Sequence, residues 1–190
     1  MNDLKNFNTN LDIKYYRKKI LKNESKIIRK YNSCGDGGTG LGENSSTSRF
    51  AHFNLLKWFG VRSLKNEIIK KYINYYGCKR KFCIRAWANV MRKGEKVKPH
   101  VHVFDDVYDR KVHLSGNLLI YCDTDMSTYY GDISIPNING NMTLFPSNIP
   151  HETDRYDGES ERISIAFDIA TLDKYSNFKN ILIENNFIVL

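Results

Sequence analysis

The chain has 190 residues, of which 41% are hydrophobic and 13% aromatic, enough for one compact domain with its own core. No apolar run approaches the roughly 20 residues of a membrane span, and the N-terminus has no apolar stretch of the signal-peptide kind. We therefore expect a cytoplasmic protein without a membrane partner. The net charge of +8 suits nucleic acid or another anionic partner, although a lysine-rich product of an AT-rich coding sequence has the same excess.

The N-terminal part, residues 1–80, is predicted to consist of a basic arm, a glycine-rich loop and helices that pack on a core over residues 81–190. Residues 33–49 contain five glycines but lack the Gly-Lys-Ser/Thr ending of a phosphate-binding loop. A loop of this length often lies over a site, and we expect the same here. Arg49, at its end, is a candidate for holding a substrate carboxylate or phosphate, with an ordinary surface arginine as the alternative.

Two helices are predicted to follow this loop. Residues 50–60 are largely apolar, which favours a helix. Beyond Ser63, which can cap a second helix, apolar residues recur every three or four positions as far as Tyr76, and Gly77 ends the pattern. Such a stripe is typical of a helix that packs against a sheet.

From residue 82 onward the hydrophobic period changes to two, which is the period of β-strands. The predicted elements are strands over residues 82–91, 97–103, 116–122, 133–135, 142–145 and 162–169, a turn over 123–130, and a strand or helix over 181–190. Helices followed by short strands, without alternating βαβ units, favour a mainly β (α+β) fold. Its two sheets would form a jelly roll, or double-stranded β-helix, of the cupin kind.

Three histidines are the candidate metal ligands. His100 and His102 stand one residue apart in a predicted strand, so their imidazoles point to the same side. The third, His151, follows soon after the segment Phe145-Pro146-Ser147. Imidazole suits iron, zinc, copper or nickel, and three protein ligands hold an ion while leaving positions open. We expect a metal site.

A candidate anion receptor comes eleven residues after the last of these histidines. Arg162 and Ser164 share one face of the long strand near the C-terminus. An inward arginine beside a hydroxyl group forms a geometrically fixed receptor for a carboxylate. The alternative is a structural ion pair of Arg162 with Glu159 or Glu161, and the sequence does not decide between the two.

Together these residues resemble the iron(II)- and 2-oxoglutarate-dependent oxygenases, most of all a group common in phage and marine bacterial sequences. The matching motifs run in the group's order over residues 82–170. They are Trp87-Ala88-Asn89, His100-Val101-His102, Ser115-Gly116 with Tyr121, Phe145-Pro146-Ser147 before His151, and Arg162-Ile163-Ser164-Ile165-Ala166-Phe167. The set is specific as a whole, while each motif is weak by itself.

The resemblance implies a double-stranded β-helix that holds Fe(II) between its sheets through His100, His102 and His151. It also implies that Arg162, assisted by Ser164, binds the remote carboxylate of 2-oxoglutarate, and that O2 is consumed while succinate and CO2 leave. The default outcome is hydroxylation of a substrate, which could be a small molecule, a protein side chain or a nucleic acid. The remaining candidates are Asn89 and Tyr121 for the cosubstrate pocket, and Trp87 and Arg49 for the substrate.

One position departs from the family pattern. Most members carry His-x-Asp or His-x-Glu, whereas the third residue of the motif here is His102. Either all three ligands are histidines, or Asp105 or Asp106 supplies a carboxylate. Two other functions also stay open: a cupin metalloenzyme with a three-histidine site that does not use 2-oxoglutarate, and a basic nucleic-acid-binding module without catalysis.

Overall fold

The structure, a computed structural model, describes residues 3–37, 39–77, 81–102, 113–171 and 186–189. Its helices are α1 (Ile13–Lys30), α2 (Ser46–Ala51) and α3 (Arg62–Tyr76), with a short 3-10 helix at Leu55–Lys57. None of the helices in these ranges is both long and apolar enough to cross a membrane.

Nine strands in the described ranges form two antiparallel sheets that face each other. The strands are β1 (Lys5–Asn8), β2 (Phe82–Met91), β3 (His113–Tyr121), β4 (Ser127–Tyr130), β5 (Ile133–Pro136), β6 (Asn141–Pro146), β7 (His151–Thr153), β8 (Arg162–Thr171) and β9 (Ile188–Val189). The large sheet has the order β1-β6-β3-β8-β2-β9, and the small sheet has the order β5-β4-β7. A bridge between His100 and His151 extends the small sheet by one more segment. The architecture is the mainly β, double-stranded β-helix that the sequence predicts.

The two faces of the large sheet differ because its strands alternate. On β8, Ile163, Ile165, Phe167 and Ile169 are fully buried in the main core, together with Leu64, Ile68 and Tyr72 of α3 and Tyr16 and Ile20 of α1. The alternate residues of β8 turn the other way, toward the small sheet. The helices therefore cover the outer face, and the inner face is left to line the space between the sheets.

Gly116 in the middle of β3 is required by this packing. A Cβ atom at this position would lie 2.2 Å from Cζ of Phe167 and 2.9 Å from Cδ2 of Leu144. No side chain fits there, which gives the Ser-Gly pair of the sequence motif a structural reason.

Several elements differ from the sequence predictions. Residues 1–32 were expected to be an arm or a short helix, but they form β1, which pairs with β6, and the 18-residue α1. The predicted turn over 123–130 contains β4, because Thr128 and Tyr130 bury alternate side chains. Residues 97–103 were predicted as a strand, yet in the described part they form no continuous strand: besides the bridge at His100, they are joined to the chain beside them by single backbone hydrogen bonds at Val97 and His102. The division of the chain at residue 80 stays a prediction.

Candidate metal centre and cosubstrate cavity

The structure brings together His100, His102 and His151. One ring nitrogen from each lies within 4.8 Å of the others, and Nε2 of His100 is 3.1 Å from Nε2 of His102. The bridge between the 100 and 151 positions causes this meeting, because paired residues on neighbouring strands point their side chains to the same face. The backbone N–H of His102 donates to the carbonyl of Ser147 at 2.9 Å, so the Phe-Pro-Ser segment holds His102 in place.

Two of these histidines are oriented by the same local device. His100 follows Pro99, and its Nδ1 lies 2.8 Å from the carbonyl oxygen of Lys98. His151 follows Pro150, and its Nδ1 lies 3.1 Å from the carbonyl oxygen of Ile149. A carbonyl only accepts, so each Nδ1 carries the proton and each Nε2 keeps a free lone pair.

The remaining histidine, His102, is oriented by a carboxylate. Nδ1 of His102 lies 2.6 Å from Oδ1 of Asp168, which is fully buried on the inner face of β8. The same carboxylate oxygen accepts a hydrogen bond from Ser115 at 2.7 Å, and Oδ2 forms an ion pair with Arg85 at 3.1 Å. All three Nε2 atoms are thus left for one centre.

The protonation states also fit metal binding. Burial lowers the pKa of His151 to about 3, with the charges of His102 and His100 acting in the same direction. Burial, followed by the charge of His102, lowers the pKa of His100. Both imidazoles are therefore neutral at pH 7, as a metal ligand must be.

A cavity of about 230 Å³ lies between the sheets beside these histidines. Its wall includes all three of them, and it also includes Trp87 and Asn89 of β2, Arg162, Ser164 and Ala166 of β8, and Gly37 and Thr39 of the glycine-rich loop. Along β8, the small residues Ser164 and Ala166 separate the guanidinium of Arg162 from Asp168 and leave the cavity open between them.

Arg162 is a buried cation facing this cavity, only 1% exposed. Its Nη2 donates to Thr128 at 3.3 Å and to Asn137 at 3.2 Å, Nη1 lies 3.5 Å from Sδ of Met91, and Nε has no partner in the described part of the chain. Burial lowers its pKa. A buried guanidinium without an acidic partner is unfavourable by itself, and a bound anion would stabilise it.

The alternative of a structural ion pair does not hold. Glu161 pairs with Arg17 of α1 at 2.6 Å, and Glu159 pairs with Lys93 at the surface. Neither glutamate reaches Arg162. Arg162 therefore faces the cavity without either glutamate as a partner, and its role as an anion receptor stays a prediction.

Some of the other predicted site residues line the cavity, and others do not. Asn89 and Ser164 face each other across β2 and β8, with Nδ2 3.5 Å from Oγ, and both line the cavity with Trp87. Asp105 and Asp106 lie outside the described residues. Among the described acidic residues, Asp168 is the one that meets the histidines, through Nδ1 of His102 rather than at the centre.

Tyr121 does not line the cavity, which corrects one prediction. The register of β3 against β8 shifts between Leu119 and Tyr121, so one extra residue turns Tyr121 toward the helices. There its ring lies 3.4 Å under the guanidinium of Arg17. The tyrosine of the cavity is instead Tyr130, which is buried, bonds Thr143 and Asn117, and has its pKa raised to about 12 by burial.

Arg49 is a second correction. It is 3% exposed, and its Nη1 donates to the backbone carbonyls of Tyr31, at 2.9 Å, and of Cys34. The side chain fastens the start of the glycine-rich loop and is not in the cavity wall. The sequence predicted that Arg49 contacts a charged ligand. In the structure its guanidinium instead donates to backbone carbonyl oxygens, which come close to it only in the folded chain.

Comparisons with known proteins bear on this site. Residues 123–168, which include β4 to β7 and most of β8, match the family model described as "Putative 2OG-Fe(II) oxygenase". The matched segment contains His151, Arg162 and Ser164, and the family it matches is the kind of oxygenase that the sequence motifs resemble. No curated protein sequence matches it significantly.

Solved structures support the fold. A nickel complex described as the non-heme monooxygenase ThoJ is 13% identical and aligns over 90% of this chain and 74% of its own, with a TM-score of 0.59. The metal-free form of ThoJ aligns over 90% and 75%, with 12% identity and the same TM-score. At such low identity the similarity concerns the fold. The description of the matched family names Fe(II) and 2-oxoglutarate, the metal and cosubstrate that the sequence motifs lead us to expect.

Proposed function

We propose that this oxygenase is an Fe(II)- and 2-oxoglutarate-dependent dioxygenase that hydroxylates its substrate and releases succinate and CO2. The observation that carries the proposal is Arg162, a buried guanidinium that has no acid partner in the described chain and faces the same cavity as three convergent imidazoles. A dicarboxylate satisfies both ends of that cavity. Its remote carboxylate would neutralise the guanidinium, and its other end would lie beside the three imidazoles that would hold the metal.

Each residue then has a task in binding. His100, His102 and His151 would hold Fe(II), and the bound ion would supply the redox chemistry with O2 and leave positions open for the cosubstrate. Arg162 binds and orients the remote carboxylate, with Thr128 beside it and Ser164 and Asn89 along the cavity wall. The rings of Tyr130 and Phe145 pack against His151 and keep water from that side.

The substrate is proposed to enter on the side of the glycine-rich loop. Trp87 lines the cavity next to His102, with ring centroids 5.6 Å apart, and Gly37 and Thr39 form the facing wall. The loop is held down by Arg49 and by a hydrogen bond from His52 to the carbonyl of Gly35 at 2.9 Å. Trp87 is therefore the proposed substrate contact, and Arg49 acts on substrate only through the loop.

The test is formation of succinate. Fe(II)-loaded protein incubated in air with 2-oxoglutarate should form succinate slowly even without its substrate, and His151→Ala should form none above background. Phe59→Ala, which truncates a side chain that is 95% exposed and does not line the cavity, is the control and should keep wild-type succinate formation. If the wild type bound Fe(II) and 2-oxoglutarate but formed no succinate, the proposed reaction would be wrong.

The all-histidine ligand set also favours a second candidate, a cupin metalloenzyme that does not use 2-oxoglutarate. That function has no use for the buried Arg162. It predicts stoichiometric Fe(II) binding that is indifferent to 2-oxoglutarate, which separates it from the oxygenase in the same assay.

A further inference from the structure

We propose that Asp168 is a positioning residue that replaces, from behind His102, the negative charge that a carboxylate ligand gives most members of the superfamily. The inference rests on the proposed three-histidine metal centre. It concerns how this chain compensates for a histidine where most relatives have an aspartate or glutamate.

The charge balance of the centre motivates the proposal. Three neutral imidazoles give a divalent ion no negative charge, whereas two imidazoles and one carboxylate give it one. In the described chain the nearest fixed negative charge is Asp168, whose Oδ1 is 2.6 Å from Nδ1 of His102. A carboxylate at this distance makes the opposite ring nitrogen, Nε2, a stronger donor to a metal.

The surroundings of Asp168 keep it ionised and immobile. Its side chain is fully buried, and its partners in the described chain include His102 and Ser115 at Oδ1, and Arg85 at Oδ2 through both Nε, at 3.2 Å, and Nη2, at 3.1 Å. Arg85 itself is held between the rings of Trp87 and Phe187, 5.0 and 5.4 Å from their centroids. Burying a carboxylate costs free energy unless partners offset it, so this arrangement does more than fill space in the core.

The position of Asp168 on β8 also supports a role at the metal centre. Arg162, Ser164, Ala166 and Asp168 occupy one face of this strand, so the strand carries the cosubstrate receptor at one end and the charge behind the metal ligand at the other. Trp87 is paired with Ala166 between them. One strand therefore fixes the distance between the two charged groups that the proposed reaction needs.

The test is a Co(II) titration of the metal-free protein. Asp168→Asn keeps the shape and removes the charge, and it should weaken Co(II) binding about 10- to 100-fold. Ser115→Ala removes one hydrogen bond to the same carboxylate and leaves its charge, so it should change the Co(II) affinity by less than about threefold. Equal affinity of Asp168→Asn and wild type would overturn the proposal.

A second measurement excludes a purely structural role. A negative charge behind the ligand stabilises Fe(III) over Fe(II), so Asp168→Asn should shift the midpoint potential of the iron-loaded protein to a more positive value. A structural role would lower the melting temperature of the metal-free protein and leave that potential where it was, which would contradict the proposal.

A variant with the opposite expectation guards against a failure of Asp168→Asn to fold. Arg85→Lys keeps a cation beside Asp168 and with it the ionised carboxylate, so the Co(II) affinity should stay within about threefold of the wild type. A tenfold loss in Arg85→Lys would overturn the proposal. If the wild type bound no Co(II) at all, the metal centre itself would be wrong, and that outcome is distinct from the failure of Asp168 alone.

Discussion

The two faces of the large sheet are made by the same strands and are chemically opposite. On β8 the outward residues Ile163, Ile165 and Phe167 are fully buried beneath the helices. The inward residues Arg162, Ser164 and Asp168 are buried to the same degree, at 0 to 1% exposure, but are polar or charged. Burial of apolar groups stabilises the fold, while burial of charged groups costs free energy unless partners offset it.

The difference separates stability from function along a single strand. Asp168 has its partners within the chain, because His102, Ser115 and Arg85 surround it. Arg162 has only neutral partners in the described chain, and we propose that a ligand offsets its charge. The outer face should therefore govern unfolding, and the inner face should govern ligand and metal binding.

The largest expected effect comes from Arg162→Met. Losing one partner of a buried charge pair costs 2–5 kcal/mol, so the half-saturating concentration of 2-oxoglutarate should rise by at least about 30-fold. The free energy of unfolding of the ligand-free protein, measured in urea, should not fall, because the variant removes an uncompensated buried charge. Arg155→Met, an exposed arginine, is the control and should change neither value. If Arg162→Met bound 2-oxoglutarate as the wild type does, the assignment of Arg162 as the anion receptor would be wrong.

Ile165→Ala tests the outer face of the same strand. Its side chain is 0% exposed, and such a truncation typically destabilises a protein by 2–5 kcal/mol through lost burial and a cavity. Urea unfolding should show this loss, while the Co(II) affinity of the folded protein should stay within about twofold. A large fall in Co(II) affinity would show that the two faces are not separable.

Gly116→Ala should destabilise the protein by about 1–3 kcal/mol, because the new methyl group would collide with Phe167 and Leu144. Gly158→Ala has an equally close collision, but with Asp123 and the buried Tyr156, outside the strands of the large sheet, so it provides a comparison away from that sheet. Urea unfolding measures both. Wild-type stability in Gly116→Ala would mean that β3 and β8 pack less closely than described.

The smallest expected effect separates two tyrosines. Tyr130→Phe removes a hydroxyl that bonds Thr143 and Asn117 beside the cavity, and it should cost about 1 kcal/mol in stability and weaken 2-oxoglutarate binding a few fold. Tyr121→Phe should leave 2-oxoglutarate binding unchanged, because its ring lies against Arg17. The reverse result would restore the assignment made from the sequence.

The strand period explains both what the sequence predicted and what it missed. Alternation along β8 places Arg162 and Ser164 on one face, and the same rule extends to Asp168, which could have been found by continuing it four residues further. Tyr121 was misplaced because the bulge after Leu119 breaks the period without a glycine or proline to mark it. The partners of Arg49 are backbone carbonyls of a loop, and no pattern of side chains announces them.

Histidine spacing was informative for a similar reason. His100 and His102 are two residues apart, so geometry within one segment brings their rings together. Their meeting with His151 depends on a bridge between distant segments, which the family resemblance supplied and the spacing alone did not. Alternation along β8 assigns Asp168 to the inner face, but its position behind His102 depends on the pairing of β8 with its neighbours, which neither the histidine spacing nor the resemblance predicts.

The most direct test of the central claim is an anaerobic titration of Fe(II)-loaded protein with 2-oxoglutarate, followed by the visible metal-to-ligand charge-transfer absorption. The account predicts a band in the wild type that saturates near one equivalent and is absent from Arg162→Met at the same concentrations. A wild-type protein that holds one Fe(II) and shows no band at saturating 2-oxoglutarate would contradict the account and favour a three-histidine cupin enzyme.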